Sequence, residues 1–328
     1  MTSRPGQTPR RALLALAVAL LLAPAAAAQE WPTRQAIRIV VPLSAGSATD
    51  IVARLVADGL ERQLKQSLVV ENRVGAGGAV GTGAVAKAEG DGYTLLVNSA
   101  SHTVLPAMNA SLPYDTARDF AAVIPLGAVP TVLVVSPAKG YRSLADFVKA
   151  AKDMPGAMNY GSAGIGNSSH LNAERFRLSA GFEAAHVPFR GAPEALREVM
   201  AERIDFYFAP LLAALPLAQD GKLQILAVSG EKRASALPDT PTTREAGFAN
   251  SEYNFWIGLF APVSTPRDIT LRLHRETAAA LATPAVRDKL KTLGVDPMPM
   301  TPAEFDAYVK NDIALNTELA RTAGIKAN

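Results

Sequence analysis

The sequence predicts an α/β protein with largely parallel sheets. Three observations carry this. Short β-branched runs recur along the chain, apolar residues at helical spacing follow them, and Gly/Ser-rich turns join strand to helix.

The elements follow in order. Arg4, Arg10 and Arg11 give a basic start, an apolar run extends from Ala12 to Leu22, and Ala23-Pro24-Ala25-Ala26-Ala27-Ala28 is a small-residue stretch of the kind signal peptidase accepts. The run is short for a membrane anchor, and the alanine tract favours cleavage, so residues 1–28 are expected to be a signal peptide removed near Gln29. Arg10-Arg11 invites a twin-arginine reading that Leu13 and Ala15 match poorly. Ile37-Arg38-Ile39-Val40-Val41 reads as a strand, and Ile51, Val52, Leu55, Val56 and Leu60 as the apolar stripe of a helix. Leu68-Val69-Val70, Tyr93 to Val97, Val132 to Val135, Ile204 to Phe208 and Gln224 to Val228 read as further strands. Ser143 and Asp146 have capping-box spacing before Phe147-Val148. Thr265-Pro266, Thr283-Pro284 and Thr301-Pro302 each place an N-cap before a helix-starting proline, and Glu304 completes a capping box with Thr301. No internal repeat or low-complexity linker interrupts the series.

Composition narrows the chemistry. With 328 residues, 48% of them hydrophobic, there is ample material for a core. The chain has no cysteine, which excludes disulfides, thiolate nucleophiles and cysteine-based metal sites. The four histidines, His102, His170, His186 and His274, do not pair at metal-site spacings, so no metal or cofactor is expected. The net charge of +3 comes from the three arginines of the leader; without them, 30 basic residues balance 30 acidic ones. A neutral chain without a basic run has no electrostatic footprint for nucleic acid or anionic lipid, so any anion must be held by a local site.

Three turns between strand and helix are candidates for that site: Val41 to Asp50, Asn159 to His170, and Val187 to Pro193. Ligands of open α/β sheets bind outside the carboxyl ends of the strands, where such turns lie. A helix start offers unpaired N–H groups and a positive dipole end, glycine lets the backbone approach closely, and hydroxyls add donors. Any one such turn is more often an ordinary capped connection. The second stands out for its density of glycine and serine. The candidate ligand-binding residues are Ser44, Gly46, Ser47, Thr49 and Asp50 in the first turn. Ser162, Gly164, Gly166, Asn167, Ser168 and Ser169 come from the second, and Arg190 and Gly191 from the third. Ser99 and His102 lie just past the strand that ends near Asn98 and join the set, His102 being either a surface residue or a ligand contact. Phe255 and Trp256 line a pocket wall or pack in the core.

Catalytic patterns are weak. Gly81-Thr82-Gly83-Ala84-Val85-Ala86 fits G-x-G-x-x-A but does not directly follow a strand. There is no G-x-S-x-G elbow and no P-loop. His170 and Glu174, four apart on a helix, suit a capping or surface interaction more than a metal.

Several stretches together resemble a substrate-binding protein of the tripartite tricarboxylate transporter family, the Bug-type receptors. They are Trp31-Pro32-Thr33-Arg34, Ile37 to Pro42, Thr49 to Arg54, Val70-Glu71-Asn72-Arg73, Gly75-Ala76-Gly77-Gly78, Asp91 to Leu96 and Leu112-Pro113-Tyr114-Asp115. Tyr160 to Leu171, His186 to Gly191, and Trp256 with Gly258 to Pro262 complete the set. The resemblance covers the chain beyond the leader. It implies a two-lobed, flytrap-like periplasmic receptor that is monomeric, binds a small carboxylate between its lobes and delivers it to large and small membrane subunits. The loops matching the family's ligand loops are Pro42 to Asp50 and Gly161 to His170. In place of the family's usual Pro-Gly-Gly loop stands Ser44-Ala45-Gly46-Ser47, so ligand preference is expected to differ. The resemblance divides the chain into lobe 1 (29–128), lobe 2 (129–254) and a return to lobe 1 (255–328). A ligand sensor for a membrane signalling protein, or an enzyme on small organic acids, is the alternative; the absence of a nucleophile–base set argues against the enzyme.

Overall fold

The computed structural model describes residues 31–322; the expected signal peptide over 1–28 lies outside the described residues. The first lobe begins with β1 (Ile37–Val41), β2 (Leu68–Asn72), β3 (Thr94–Ser99) and β4 (Phe120–Ala128). The chain then crosses to β5 (Thr131–Val135), β6 (Met158–Ser162), β7 (Ala184–Pro188), β8 (Phe206–Pro210) and β9 (Gln224–Val228), and returns with β10 (Trp256–Pro262). Two five-stranded sheets result, ordered β2-β1-β3-β10-β4 and β7-β6-β8-β5-β9.

The two orders are the same pattern repeated, and both sheets are mixed. In the first, β1 pairs parallel with β2 and β3, while β10 runs antiparallel to β3 and β4. In the second, β6 pairs parallel with β7 and β8, while β5 runs antiparallel to β8 and β9. The antiparallel strands have a simple cause. β5 and β10 are the strands that enter a lobe from the crossing. They start beside the cleft that the carboxyl ends of their neighbours face, so they run the other way.

Helices cover the sheets: α1 (Ala48–Leu64), α2 (Ala79–Ala86) and α3 (Ser101–Met108), then α4 (Leu144–Asp153), α5 (Ser168–Ala180), α6 (Ala192–Met200) and α7 (Leu211–Gln219). After β10 come α8 (Arg267–Ala282), α9 (Pro284–Thr292) and α10 (Pro302–Thr322). α8 packs on α1, and α10 on α3 and β4, so the C-terminal helices close the first lobe. Ser143 and Thr301 cap as their spacing predicts, while Thr283 holds the N-cap position without a side-chain cap bond. Ser143 accepts from the Asp146 amide at 3.1 Å, and Thr301 and Glu304 form a reciprocal box. At Thr265-Pro266 the helix starts one residue later, with Pro266 as N-cap.

Each lobe has its own aromatic core. In the first, Trp256 meets the edge of Phe305 at 5.5 Å and its Nε1 donates to Asp312 at 3.1 Å. In the second, Phe147, Phe176, Phe182 and Phe206 pack edge to face around the sheet. Of the two adjacent aromatics at the start of β10, Trp256, its first residue, lies in the core and Phe255, just before it, faces the cleft. The crossing segments are tied by backbone bonds from Val129 to the Phe255 carbonyl (2.8 Å) and from Tyr253 to the Ser229 carbonyl (2.6 Å). Among the described residues no helix is long and apolar enough to cross a membrane.

Candidate functional site

Three helices begin at one cavity between the lobes. α1 starts at Ser47-Ala48-Thr49 in the first lobe; α5 starts at Asn167-Ser168-Ser169 and α6 at Gly191-Ala192 in the second. Each start has a local cause. The Ser47 hydroxyl accepts from the Asp50 amide at 3.3 Å, the Asn167 carbonyl oxygen accepts from the Ser169 amide at 3.0 Å, and Gly191 in extended backbone precedes Pro193 in the first turn of α6. The cavity is small in this closed arrangement, about 20 Å³. No lysine, arginine, aspartate or glutamate lines it. Its field is therefore set by three positive helix ends, which favour an anion.

The wall also holds polar atoms that no protein group satisfies. The Thr49 hydroxyl, the Asn172 side-chain carbonyl and the Tyr253 hydroxyl are buried without a hydrogen-bond partner. Burial pushes the Tyr253 phenol well above its ordinary value, so it stays protonated and can donate. Tyr207, Phe208, Pro210 and Phe255 supply the apolar surface.

The lobes are closed on each other. Ser168 donates its amide to the Ser101 hydroxyl at 3.1 Å, and the two hydroxyls lie 3.2 Å apart. The Ser44 hydroxyl fills the space left by the missing side chain of Gly191; a Cβ there would sit 2.0 Å from Oγ. Gly77 lies against the Ile165 carbonyl, which a Cβ would approach to 2.1 Å. Outside this contact, Gly75 to Gly78 face Gly164, Phe189 and Arg190 across the mouth of the cleft.

The expected site residues divide accordingly. Ser47, Thr49, Asn167, Ser168, Ser169 and Gly191 line the cavity. Ser44 and Gly46 form the rim, against Gly191 and Pro193. Gly164 and the exposed Arg190 stand at the mouth. Five residues serve elsewhere. Asp50 spends its carboxylate on its own loop, accepting from the Gly46 amide (2.9 Å), Arg54 Nε (3.0 Å) and Asn72 Nδ2 (2.9 Å). Burial alone would raise its pKa, but these bonds outweigh that and hold it low. Ser99 bonds to Ser101 at 3.1 Å, behind the cleft. His102 is no ligand contact: it is 1% exposed and packed between Phe120 and Phe260, and burial pushes its pKa down to about 3. Ser162 braces its own turn through the Gly164 amide (3.1 Å) and lies 2.6 Å from His186 Nε2. Gly166 packs on Leu105.

The weaker motifs also find local uses. Gly81 and Gly83 let α2 press against the Arg73 carbonyl, Pro42 and Tyr114, so these glycines serve packing. Glu174 pairs with Arg177 at 2.7 Å and accepts from the Tyr160 hydroxyl. His170 stacks flat on His186 with ring centroids 3.7 Å apart. Burial holds His170 at about 4 and His186 at about 3, so both rings are neutral near pH 7.

Sequence reasoning missed Ser101, Thr131, Asn172, Tyr207, Phe208 and Tyr253. Asn172 had a usable signal, lying four residues after Ser168 on one helix face. The others come together only through the crossing segments.

The chain matches the family described as "Tripartite tricarboxylate transporter family receptor" over residues 52–325. It is 35% identical to a UPF0065 protein of Pseudomonas sp. (strain P51), over 87% of this chain and 86% of that one. A Rhodopseudomonas palustris protein solved with adipate is 34% identical with a TM-score of 0.86, covering 90% of this chain and 99% of its own. MatC from the same organism, solved with malate, is 29% identical with a TM-score of 0.84, covering 88% and 99%. The chain belongs to the tripartite tricarboxylate transporter receptor family, and its two-lobed architecture is that of periplasmic binding proteins.

Proposed function

We propose that this receptor captures a small carboxylate in the cleft between its lobes and delivers it to the large and small membrane subunits of a tripartite transporter. One observation carries the reading: three helix starts, drawn from both lobes, converge on a cavity that no charged side chain lines. An anion at their meeting point gains from the dipoles and from unpaired N–H groups of both lobes at once, so it binds the closed form best. Similarity to proteins solved with adipate and malate supports a carboxylate. Residues 29–128 with 255–328 would form one rigid body and 129–254 the other, reached in the periplasm after cleavage of residues 1–28. The protein acts by reversible closure as a monomer, as a receptor and not as an enzyme.

Calorimetric titration of the purified protein with small carboxylates tests this. Saturable binding is expected, and Thr49→Val, which removes a buried unpartnered hydroxyl and keeps the shape, should weaken it about 10- to 100-fold. Absence of binding across a broad carboxylate panel overturns the reading.

A further inference from the structure

We infer that the ligand is a monocarboxylate whose body carries an uncharged hydrogen-bond donor, a hydroxyl or an amide N–H, and that Asn172 is the residue that reads it. The inference rests on the carboxylate reading above and specifies the other end of the same ligand.

Asn172 is 1% exposed and lies one turn beyond Ser168 on α5, facing the cavity. Its Nδ2 donates to Thr131 Oγ1 and Ser229 Oγ, both at 3.0 Å, and these two hydroxyls are hydrogen-bonded to each other. That triangle sets which way the amide points. One hydroxyl proton must lie between Thr131 and Ser229, and Ser229 has the Thr131 carbonyl within reach at 3.4 Å for the other. With the amide reversed, the side-chain oxygen would face two hydroxyl oxygens with at most one proton to share, and one contact would be repulsive. Nδ2 therefore faces the hydroxyls. Oδ1 is left buried with no protein donor. A buried acceptor in that state is relieved only by a donor brought in from outside the protein.

The lining narrows what that donor is. An ammonium group would find no aspartate or glutamate in the cavity, and its desolvation would go unmatched. A second ionised carboxylate at this position would set its acceptor oxygens against Oδ1, with no proton between them. A neutral hydroxyl or amide N–H meets the oxygen without either penalty, with the Tyr253 hydroxyl also on the cavity wall.

The test is calorimetry on the purified protein with matched probes: butanoate, pentanoate, the 2-, 3- and 4-hydroxybutanoates, succinamate, 4-aminobutanoate and succinate. At least one hydroxy or amide acid should bind about tenfold or more tighter than the unsubstituted acid of equal length, and tighter than the amino acid and the dicarboxylate. Asn172→Leu, or Asn172→Ala should the leucine variant not fold, should remove that preference, so that the hydroxy or amide acid and the plain acid of equal length bind alike. Thr49→Val, by contrast, should weaken every acid alike. Equal binding of hydroxylated and plain acids overturns the inference, as does preference for succinate or 4-aminobutanoate, or a preference that survives in both Asn172 variants. If no acid binds, the carboxylate reading itself fails and this inference falls with it.

Discussion

Ser101 and Ser168 hold the two lobes together. The Ser168 amide, at the first position of α5, donates to the Ser101 hydroxyl at 3.1 Å, and the two hydroxyls meet at 3.2 Å. One residue belongs to the first lobe and the other to the second, so the bond exists only when the cleft is closed. Ser168 also lines the cavity proposed to hold the ligand, so closure and the proposed site share a residue.

Ser101→Ala should therefore favour the open form, at the cost of one hydrogen bond from Ser99 within the first lobe. Loss of a neutral hydrogen bond is worth about 0.5–1.5 kcal/mol, or about 2- to 12-fold in affinity for a verified ligand. Calorimetry on variant and wild type measures this. An unchanged affinity would show that Ser101 does not contribute to closure.

Gly77→Ala should block closure outright. A Cβ at Gly77 would lie 2.1 Å from the Ile165 carbonyl oxygen of the other lobe, and a backbone atom cannot rotate away. Gly77 also has φ +65°, so alanine there carries a backbone strain of about 1–2 kcal/mol. Gly140→Ala is the control: its φ is +72°, but nothing lies within 4 Å of the added atom. In solution X-ray scattering, wild type and Gly140→Ala should show a smaller radius of gyration with saturating ligand than without. Gly77→Ala should stay at the larger value.

Stability should fall with acid in a window set by histidines. His102, His170 and His186 are held at about 3, about 4 and about 3 in the folded protein, against 6.5 ordinarily, because burial disfavours the charged ring. The unfolded chain thus takes up protons from pH 6.5 downward while the folded chain does not, and stability declines from there toward pH 4. The depressed carboxylates Asp50 and Glu174 add their loss as pH falls below their ordinary values of 3.8 and 4.5. His102→Leu should flatten the denaturation profile between pH 6.5 and 4.5 by up to about 1.4 kcal/mol per pH unit. At pH 7 it should cost little, because both ring nitrogens of His102 already lack partners.

Asp50→Ala should act on the fold of the first loop. Three donors, including the Arg54 guanidinium and the Gly46 amide, lose their acceptor together. A loss of about 2–4 kcal/mol in urea denaturation is expected, with the charged partner carrying the larger share. Asp50→Asn should recover only part of it, since the amide offers one acceptor oxygen in place of two.

Much of this architecture was legible because its causes are local. The β-branched run at Ile37–Val41, the caps at Ser47, Asn167 and Ser143, and the Thr301–Glu304 box each depend on residues within a few positions of one another. Local chemistry also placed three anion-competent turns at the carboxyl ends of strands. It did not show which way each side chain in those turns points. Asp50 and Ser162 turn back to brace their own loops, and His102 goes into the core, because their partners Asn72, His186 and Phe260 come from distant parts of the chain.

The sequence alone determined the α/β class, the family and the loops that line the cavity between the lobes, since these rest on periodicity, capping and contiguous motifs. Only the tertiary structure decided which polar atoms in those loops are already satisfied and which are left for a ligand. Asn172 shows why. Its amide is turned by Thr131 and Ser229, 41 and 57 residues away, brought beside it by the two lobe crossings. A helix cap is a property of four consecutive residues, but an unpaired buried oxygen is a property of everything packed around it.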